Sequence, residues 1–395
     1  MAASLTACGG SGSASTTTAA AGEAKAEGES KAAESSAAAD GASFKIGGIG
    51  PVTGGAAVYG LAVQHGAEIA VKEINEAGGI NGYPVEFQFQ DDEHDAEKSV
   101  NAYNTLKDWG MQALMGTVTS APCIAVADKT AADNMFQITP SGSAVECAAN
   151  PNVYRVCYSD PAQGTASAKY IGEHKLASKV AVIYDSSDVY SSGIYEKFAQ
   201  EAPNQGIEVV DAEAFTADSN KDFSTQLQKA KESGAELVFL PIYYTEASLI
   251  LQQANTMGFA PQFFGCDGMD GILQVQNFDV KLAEGLMLLT PFAADATDDL
   301  TVKFVKSFED AYGETPIQFA ADAYDAMYII KAAMEEANVT PDMAVGDICD
   351  AMEGAMTKIK VDGLTGTNMT WTEDGEPEKD PKAVQVVDGA YKAME

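Results

Sequence analysis

The sequence predicts an α/β fold with two lobes of similar build, each a mostly parallel sheet with helices on both faces. Apolar strands alternate with helical segments of about ten to fifteen residues, a pattern typical of parallel sheets. The alternation runs in two series, and the second begins at Lys179. A chain of 395 residues is also long enough for two hydrophobic cores of ordinary size.

The first residues resemble the end of a secretory signal peptide. Leu5-Thr6-Ala7-Cys8 is similar to a bacterial lipobox, in which the Cys carries a diacylglycerol thioether and becomes the mature N-terminus. Residues 1–8 lack the basic region and the long apolar stretch of a full signal, so we expect the natural signal to start upstream. The alternative for Cys8 is a chance Cys in a tail of small residues.

Residues 9–43 are nearly all Gly, Ser, Ala, Thr, Glu and Lys, and the first large apolar side chain after them is Phe44. Such a segment cannot bury enough surface to offset the entropy of ordering it. We therefore predict a flexible tether between a membrane anchor at Cys8 and a folded body.

The first series begins with an apolar strand at 44–50 that enters a glycine-rich turn. Gly48 and Gly50 match only part of a dinucleotide fingerprint, because Thr53 stands at the third Gly position and Gly54 comes one residue late. A helix over 59–76 should end at the Gly78-Gly79 pair. The rest of this series is a strand at 85–89, a helix near 95–109, and strands near 111–116, 135–139 and 153–158.

The second series reads as strand 179–184, helix 191–203, strand 207–215, helix 222–233, strand 236–241, helix 245–257 and strand 262–265. A strand at 285–289 and helices at 298–312, 318–337 and 342–355 follow, and 365–394 reads as strands with a turn at Asp374-Gly375. Ligands of open α/β sheets bind beyond the carboxyl ends of the strands. Two lobes that face each other therefore place the site in the cleft between them.

Charge and motifs exclude several classes of function. With 24 basic and 58 acidic residues the net charge is −34, which repels nucleic acids and anionic headgroups. No run of eighteen apolar residues predicts a membrane-spanning helix. HExxH, GxSxG and Walker A motifs are absent, so we expect neither an enzyme nor a cofactor. His94 lies in an acidic loop, Asp91 to Asp95, that reads more simply as a solvated loop than as a metal site.

Five cysteines remain besides Cys8, and no CxxC motif occurs. Export permits disulfides, and Cys157 with either Cys147 or Cys123 is the candidate pair. Free buried thiols are the alternative for these and for Cys266 and Cys349.

The segment from Met115 to Ser143 is the centre of the predicted site. Ser120 stands where a helix should begin, and Pro122 falls in its first turn. A helix start leaves N–H groups unpaired and suits a small carboxylate. Ser141 and Ser143 follow the next strand and would lie beside that helix start. Alternatively, Ser120 only caps its helix and the other two serines only form a turn.

Several short stretches occur in a characteristic order across nearly all of 44–395. They are Lys45-Ile46-Gly47, Gly50-Pro51-Val52-Thr53-Gly54, Ile74-Asn75, Gly78-Gly79-Ile80-Asn81-Gly82, Asp91-Asp92, Ile138-Thr139-Pro140, Asp222-Phe223-Ser224 and Ala323-Tyr324-Asp325-Ala326. Together they resemble the periplasmic-binding-protein family for branched-chain amino acids, the extracellular substrate receptors of ABC importers. The resemblance implies a type I fold with three hinge crossings, near 160, 290 and 365. Lobe 1 would then be 44–160 plus 291–365, and lobe 2 would be 161–290 plus 366–395.

The resemblance also implies the site residues. In this family hydroxyls and N–H groups of the first lobe hold the ligand's α-carboxylate, and an acidic residue of the second lobe holds its ammonium. The carboxylate positions fall on Ser120, Ser141 and Ser143, and the acidic position falls on Asp267, which would otherwise be a turn residue before Gly268. The remaining assigned positions, each of which could equally belong to the core or the rim of the cleft, are Tyr59, Val118, Thr119, Tyr190, Tyr243 and Phe319.

The sequence departs from well-known members at two places. Asp267 stands where Glu is usual, and His94 and Thr119 replace a Cys pair found in some relatives. We predict a monomeric, lipid-anchored receptor outside the cytoplasm. It would close on an apolar or branched-chain amino acid and deliver it to an ABC permease. A sensory lobe, or a binder of another small carboxylate or amide, is the alternative.

Overall fold

The computed structural model describes residues 41–379 and 381–394. Cys8 and the predicted tether, apart from its last residues 41–43, lie outside the described residues. None of the helices in the described part of the chain is long and apolar enough to cross a membrane.

The first sheet has five parallel strands in the order β2-β1-β3-β4-β5. Its inner strands are almost entirely buried because helices cover both sides of the sheet. The register pairs Phe44 with Val85 and Ile46 with Ala113. In chain order the elements are β1 Phe44–Gly50, α1 Ala57–Glu76, β2 Val85–Asp91, α2 Ala96–Trp109, β3 Ala113–Gly116, α3 Ser120–Asp133, β4 Phe136–Thr139 and β5 Val153–Arg155.

A second βα series follows the first crossing. It consists of α4 Asp160–Glu173, β6 Lys179–Asp185, α5 Val189–Glu201, β7 Glu208–Phe215, α6 Ser224–Glu232, β8 Leu237–Leu240, α7 Tyr244–Thr256, β9 Gln262–Gly265 and β10 Met287–Thr290. The chain then forms α8 Asp299–Tyr312, α9 Gln318–Glu336, α10 Val345–Met356, β11 Thr370–Trp371, β12 Pro377–Glu378, β13 Lys382–Val387 and β14 Ala390–Ala393. The second sheet has the order β14-β13-β10-β9-β8-β6-β7, with β13 antiparallel to both of its neighbours.

The helices that follow β10 return to the first sheet. Helix α9 packs along α1, and α10 packs on α9 and β4. Gly66 permits the close approach of α1 to α9, because a Cβ there would lie 2.1 Å from the Ala320 carbonyl oxygen. This contact brings Tyr59 of α1 and Phe319 of α9 to the same place at the cleft.

The last crossing differs from the expected one near 365. The β11–β12 hairpin keeps to the first sheet, because Trp371 Nε1 donates to the Arg155 carbonyl oxygen at 2.9 Å and Arg155 N donates to Gly375 O at 3.1 Å. Only β13 and β14 join the second sheet. Residues 366–378 therefore accompany lobe 1, whereas the sequence analysis placed all of 366–395 in lobe 2.

The candidate disulfide is absent from the described residues, and the alternative of free buried thiols is confirmed. Cys123, Cys147, Cys157, Cys266 and Cys349 are all buried free thiols. Cys123 and Cys147 lie in one small cluster with Ala144 of the loop after β4, residues 140–144, which we call the serine loop. Cys157 lies elsewhere, and burial raises the pKa of its thiol well above the usual range, although the charge of Arg155 opposes that rise.

Candidate functional site

All ten residues that the sequence analysis assigned to the ligand site line one cavity between the lobes, together with Gly268. They are Tyr59, Val118, Thr119, Ser120, Ser141, Ser143, Tyr190, Tyr243, Asp267 and Phe319. The cavity has a free volume of only about 10 Å³. That space is about one water molecule, so a larger ligand enters only when the lobes or the aromatic side chains separate.

Ser120 joins two segments of the first lobe. It is the first residue of α3, after the N-cap Thr119. Its Oγ accepts hydrogen bonds from Ser143 N at 3.2 Å and Ala144 N at 3.1 Å. The hydroxyl therefore fixes the loop after β4 against the helix start, and the interpretation in which Ser120 only caps its helix is wrong.

The other two serines differ in their hydroxyl partners. Ser141 Oγ donates to Val118 O at 2.6 Å. Ser143 is 1% exposed, yet its Oγ has no hydrogen-bond partner among the described atoms. It lies beside the buried Asp160 carboxyl group, outside hydrogen-bond geometry. The Ser143 hydroxyl is thus available to a ligand in the cavity.

Asp267 faces the serine loop from the second lobe. Its Oδ1 accepts from Tyr190 Oη at 2.7 Å and from Gly268 N at 2.7 Å, and its Oδ2 accepts from Gln163 Nε2 at 2.8 Å. Burial raises the pKa of Asp267 to about 6, although the bonds from Tyr190 and Gln163 oppose that rise. The carboxylate is therefore ionised at neutral pH but incompletely compensated.

Aromatic rings form the rest of the wall. Tyr59 stacks on Phe319 with ring centroids 4.2 Å apart, and Tyr190 stacks on Tyr243 at 4.9 Å. Tyr59 reaches across the cleft, since its hydroxyl donates to Gly268 O and accepts from Tyr244 N. Burial raises the pKa values of Tyr59, Tyr190 and Tyr243 well above the usual range, so the hydroxyls stay neutral donors.

Comparison with known proteins identifies the family. A family model described as periplasmic binding protein matches residues 43–390. The chain belongs to the periplasmic binding protein family. The two-lobed α/β architecture predicted from the sequence is confirmed.

Individual relatives agree with this assignment. Over 305 residues the chain is 32% identical to Leu/Ile/Val-binding protein homolog 3 of Brucella melitensis, covering 77% of this chain and 82% of that protein. It is 30% identical over 297 residues to the leucine-, isoleucine-, valine-, threonine-, and alanine-binding protein of Pseudomonas aeruginosa, covering 75% and 79% of the two chains. Among solved structures, the branched-chain amino acid transporter substrate binding protein LivJ of Streptococcus pneumoniae, in complex with isoleucine, superposes with a TM-score of 0.80. The match has 26% identity and covers 89% of this chain and 99% of that one.

Sequence reasoning missed Gln163 in this periplasmic binding protein. Gln163 lies in the first turn of α4, directly after the first crossing, and its side chain bonds both the Asp267 carboxylate and Asp267 N. Asp160 begins the same helix and lies near both Ser143 and Asp267, and burial raises its pKa well above the usual range. The Asp160-Pro161 helix start was the one signal in the sequence that could have drawn attention to this turn.

Sequence reasoning also missed Arg155. This side chain is fully buried beneath the serine loop, where Nη1 donates to Ser143 O at 2.6 Å and Nη2 donates to Ala144 O at 3.0 Å. It also pairs with Glu376 of the hairpin at 3.2 Å. Arg155 therefore holds the loop in shape and adds positive charge behind it.

His94 and Thr119, which replace the Cys pair of some relatives, contact each other. His94 Nδ1 lies 2.8 Å from Thr119 Oγ1, and the His94 ring packs edge-on against Tyr243. Within 41–379 and 381–394 no group of three or more His, Cys, Asp or Glu side chains could hold a metal ion. His94 thus contacts Thr119 and Tyr243, two lining residues of the cavity, from the first lobe.

Proposed function

We propose that this periplasmic binding protein captures an amino acid with a branched-chain or other apolar side chain between its lobes. It then delivers the amino acid to the membrane subunits of an ABC importer. The proposal rests on one observation. The buried Asp267 carboxylate of one lobe and the serine loop of the other lobe line the same aromatic-walled cavity. The proposal is supported by the relatives, whose names describe them as leucine-, isoleucine- and valine-binding proteins or homologues of these.

The polar groups suit a zwitterion. No Lys or Arg side chain in the described residues forms an ion pair with Asp267, so a ligand ammonium would supply the missing positive charge. Opposite it, the Ser143 hydroxyl and the free N–H groups at the start of α3 can donate to a carboxylate. Each ligand charge thus gains a partner once water leaves the cleft.

The walls suit an apolar side chain. Tyr59, Tyr190, Tyr243 and Phe319 present ring faces and edges, while Val118 adds an aliphatic surface. Such pockets bind through shape and apolar contact, with a few polar groups that fix orientation. The small free volume supports capture by closure of the lobes, in which binding energy draws an open form toward the closed one.

The same proposal includes the cellular setting. The receptor acts outside the cytoplasm as a monomer, attached to the bacterial cell membrane through a lipid at Cys8. Conversion of Cys8 to Ala should release the full-length protein from the membrane fraction, and its retention there would contradict the anchor.

Calorimetric titration of the protein with leucine, isoleucine and valine tests the ligand. Asp267→Asn keeps the size of the side chain and one acceptor for Tyr190, and should weaken binding at least tenfold. The matched variant is Asp188→Asn, a half-buried carboxyl group that lies near Tyr243 but outside the cavity. It should bind within about threefold of the unchanged protein. Unchanged affinity in Asp267→Asn, or binding of plain carboxylates or amides in place of amino acids, would overturn the zwitterion proposal.

A further inference from the structure

A second cavity lies at the hinge and shares no lining residue with the interlobe cavity. We call it the hinge pocket, and its volume is about 380 Å³. It is enclosed by the β10 and β13–β14 side of the second sheet, by α8 and by the segment before α9. Its apolar lining includes Leu273, Phe292, Val305, Ile317 and Val384. The volume falls within the usual range for small-molecule sites, about 300–1,000 Å³.

Two buried polar groups in the hinge pocket lack partners. Asp270 is 5% exposed, and its Oδ2 accepts from Gln318 N at 2.8 Å. Its Oδ1 has no hydrogen-bond partner among the described atoms, and neither has the buried Tyr391 hydroxyl. The two groups lie near each other, outside hydrogen-bond geometry. A buried carboxylate oxygen without a donor is costly, so this corner of the pocket favours a hydrogen-bond donor.

The charges around the pocket favour a positively charged donor. Asp295, Glu309 and Glu314 line the rim, and the one cationic side chain in the lining, Lys392, lies 3.8 Å from Asp295. The lining thus offers no cationic side chain without an acidic partner to bind a carboxylate, while several acidic groups attract a cation. This charge balance distinguishes the hinge pocket from the interlobe cavity, where a serine loop faces the acidic residue.

We propose that the hinge pocket binds a small organic cation, a primary ammonium on an apolar chain or ring. The ammonium donates to the free Asp270 oxygen and to the Tyr391 hydroxyl oxygen, and the apolar part packs against Phe292 and Ile317. The site would also contact the amino-acid site through one residue. Gln318 donates its backbone N–H to Asp270 and its side-chain amide to Asp267 O at 2.8 Å.

Titration with 2-phenylethylammonium at pH 7.5, followed by saturation-transfer NMR on the full chain, tests this site. Binding should be saturable and should weaken at least tenfold in Asp270→Asn, which keeps an acceptor for Gln318 N. Asp267→Asn, which alters the other cavity, should leave the affinity for this probe within about twofold. 3-Phenylpropionate, a matched anion, should not bind.

A second variant keeps the test decisive if Asp270→Asn fails to fold. Ala294 is half-buried in the pocket lining, and Ala294→Trp should fill the space and abolish binding of the probe. Absence of saturable binding to the unchanged protein would show a pocket that holds water only. If both the Asp270 and the Ala294 variants bind the probe as tightly as the unchanged protein, or if only Asp267→Asn loses binding, the probe binds elsewhere and the proposal is overturned. None of these outcomes depends on whether leucine binds.

Discussion

The amide nitrogen of Gln163 donates to the Asp267 carboxylate at 2.8 Å, and its amide oxygen accepts from Asp267 N. The two residues are 104 positions apart in the chain. This paired contact orients the Asp267 carboxylate, which we assign to the ligand ammonium, and favours its ionised form. Gln163 is therefore a positioning residue for the site.

Gln163→Ala should weaken amino-acid binding about tenfold, the equivalent of one charge-assisted hydrogen bond. It should also raise the pKa of Asp267, because one bond that favours the ionised form is lost. The pH at which affinity falls to half should move upward, and calorimetry across pH 5–8 would detect this. If the variant binds more weakly with an unchanged pH profile, Gln163 contributes only to packing.

Amino-acid affinity should itself depend on pH through Asp267, whose pKa is about 6. The ammonium needs the ionised carboxylate, so affinity should be level above pH 7 and fall as the pH drops through 6. At pH 5 about one tenth of the groups remain ionised, which predicts about tenfold weaker binding than at pH 7.5.

Burial raises the pKa of Asp188 to about 6 as well, so the source of that pH dependence needs a comparison. Asp188→Asn should keep the dependence, whereas Asp267→Asn should bind weakly at every pH. If the pH dependence of affinity disappears in Asp188→Asn, it arises from Asp188 and not from Asp267.

Ser120→Ala should destabilise the fold as well as weaken binding. Its hydroxyl satisfies two buried N–H groups of the serine loop, and their loss of a partner should cost about 1–3 kcal/mol in the free energy of unfolding. Urea unfolding measures this. Ser248→Ala is the matched change, because Ser248 is equally buried but its hydroxyl bonds only Thr245 O of its own helix. If both variants lose the same free energy of unfolding, the bonds from the serine loop to Ser120 contribute no extra stability.

Asp92→Asn should stabilise the protein at alkaline pH. Burial, together with Asp91 and Asp95, raises the pKa of Asp92 to about 7, and its Oδ2 has no hydrogen-bond partner among the described atoms. The folded form thus holds this proton more tightly than the unfolded form. The contribution of Asp92 to stability is present below about pH 4 and is lost as the pH rises to 7. The gain should be on the order of 1–3 kcal/mol at pH 8 and small at pH 4.

Thermal unfolding at pH 8 and pH 4 measures these changes. Asp91→Asn is the control, because its effect on stability should be opposite to that of Asp92→Asn. Although burial raises the pKa of Asp91, hydrogen bonds from Thr53, Glu93 and Val52 bring it below the usual range. Asp91→Asn should therefore destabilise at pH 8. Stabilisation by both variants would point to a general effect of removing negative charge from this acidic chain.

Many of the elements could be predicted because their signals are local. The apolar run at β9 and the Pro at the start of α3 mark their ends within a few residues, and the structure has Gln262–Gly265 and Ser120–Asp133 there. The position of the cleft could also be predicted, since turns after parallel strands meet at one edge of a sheet. The individual site residues came from the family resemblance. Nothing local indicated that Ser120 would bond the loop after β4, as this depends on how α3 and β4 pack together.

The sequence by itself determined the α/β class and the two βα series, because apolar periodicity and turn residues are local to single segments. The residues that line the interlobe cavity were assigned through the resemblance of the sequence to a known family. Only the tertiary structure decided that Arg155 lies under the serine loop, that Cys157 stays a free thiol, that the β11–β12 hairpin keeps to the first sheet, and that Asp270 lines a second cavity. Each of these depends on contacts between segments far apart in the chain. Burial and the lack of a partner, which give such groups their chemistry, exist only after those segments have packed together.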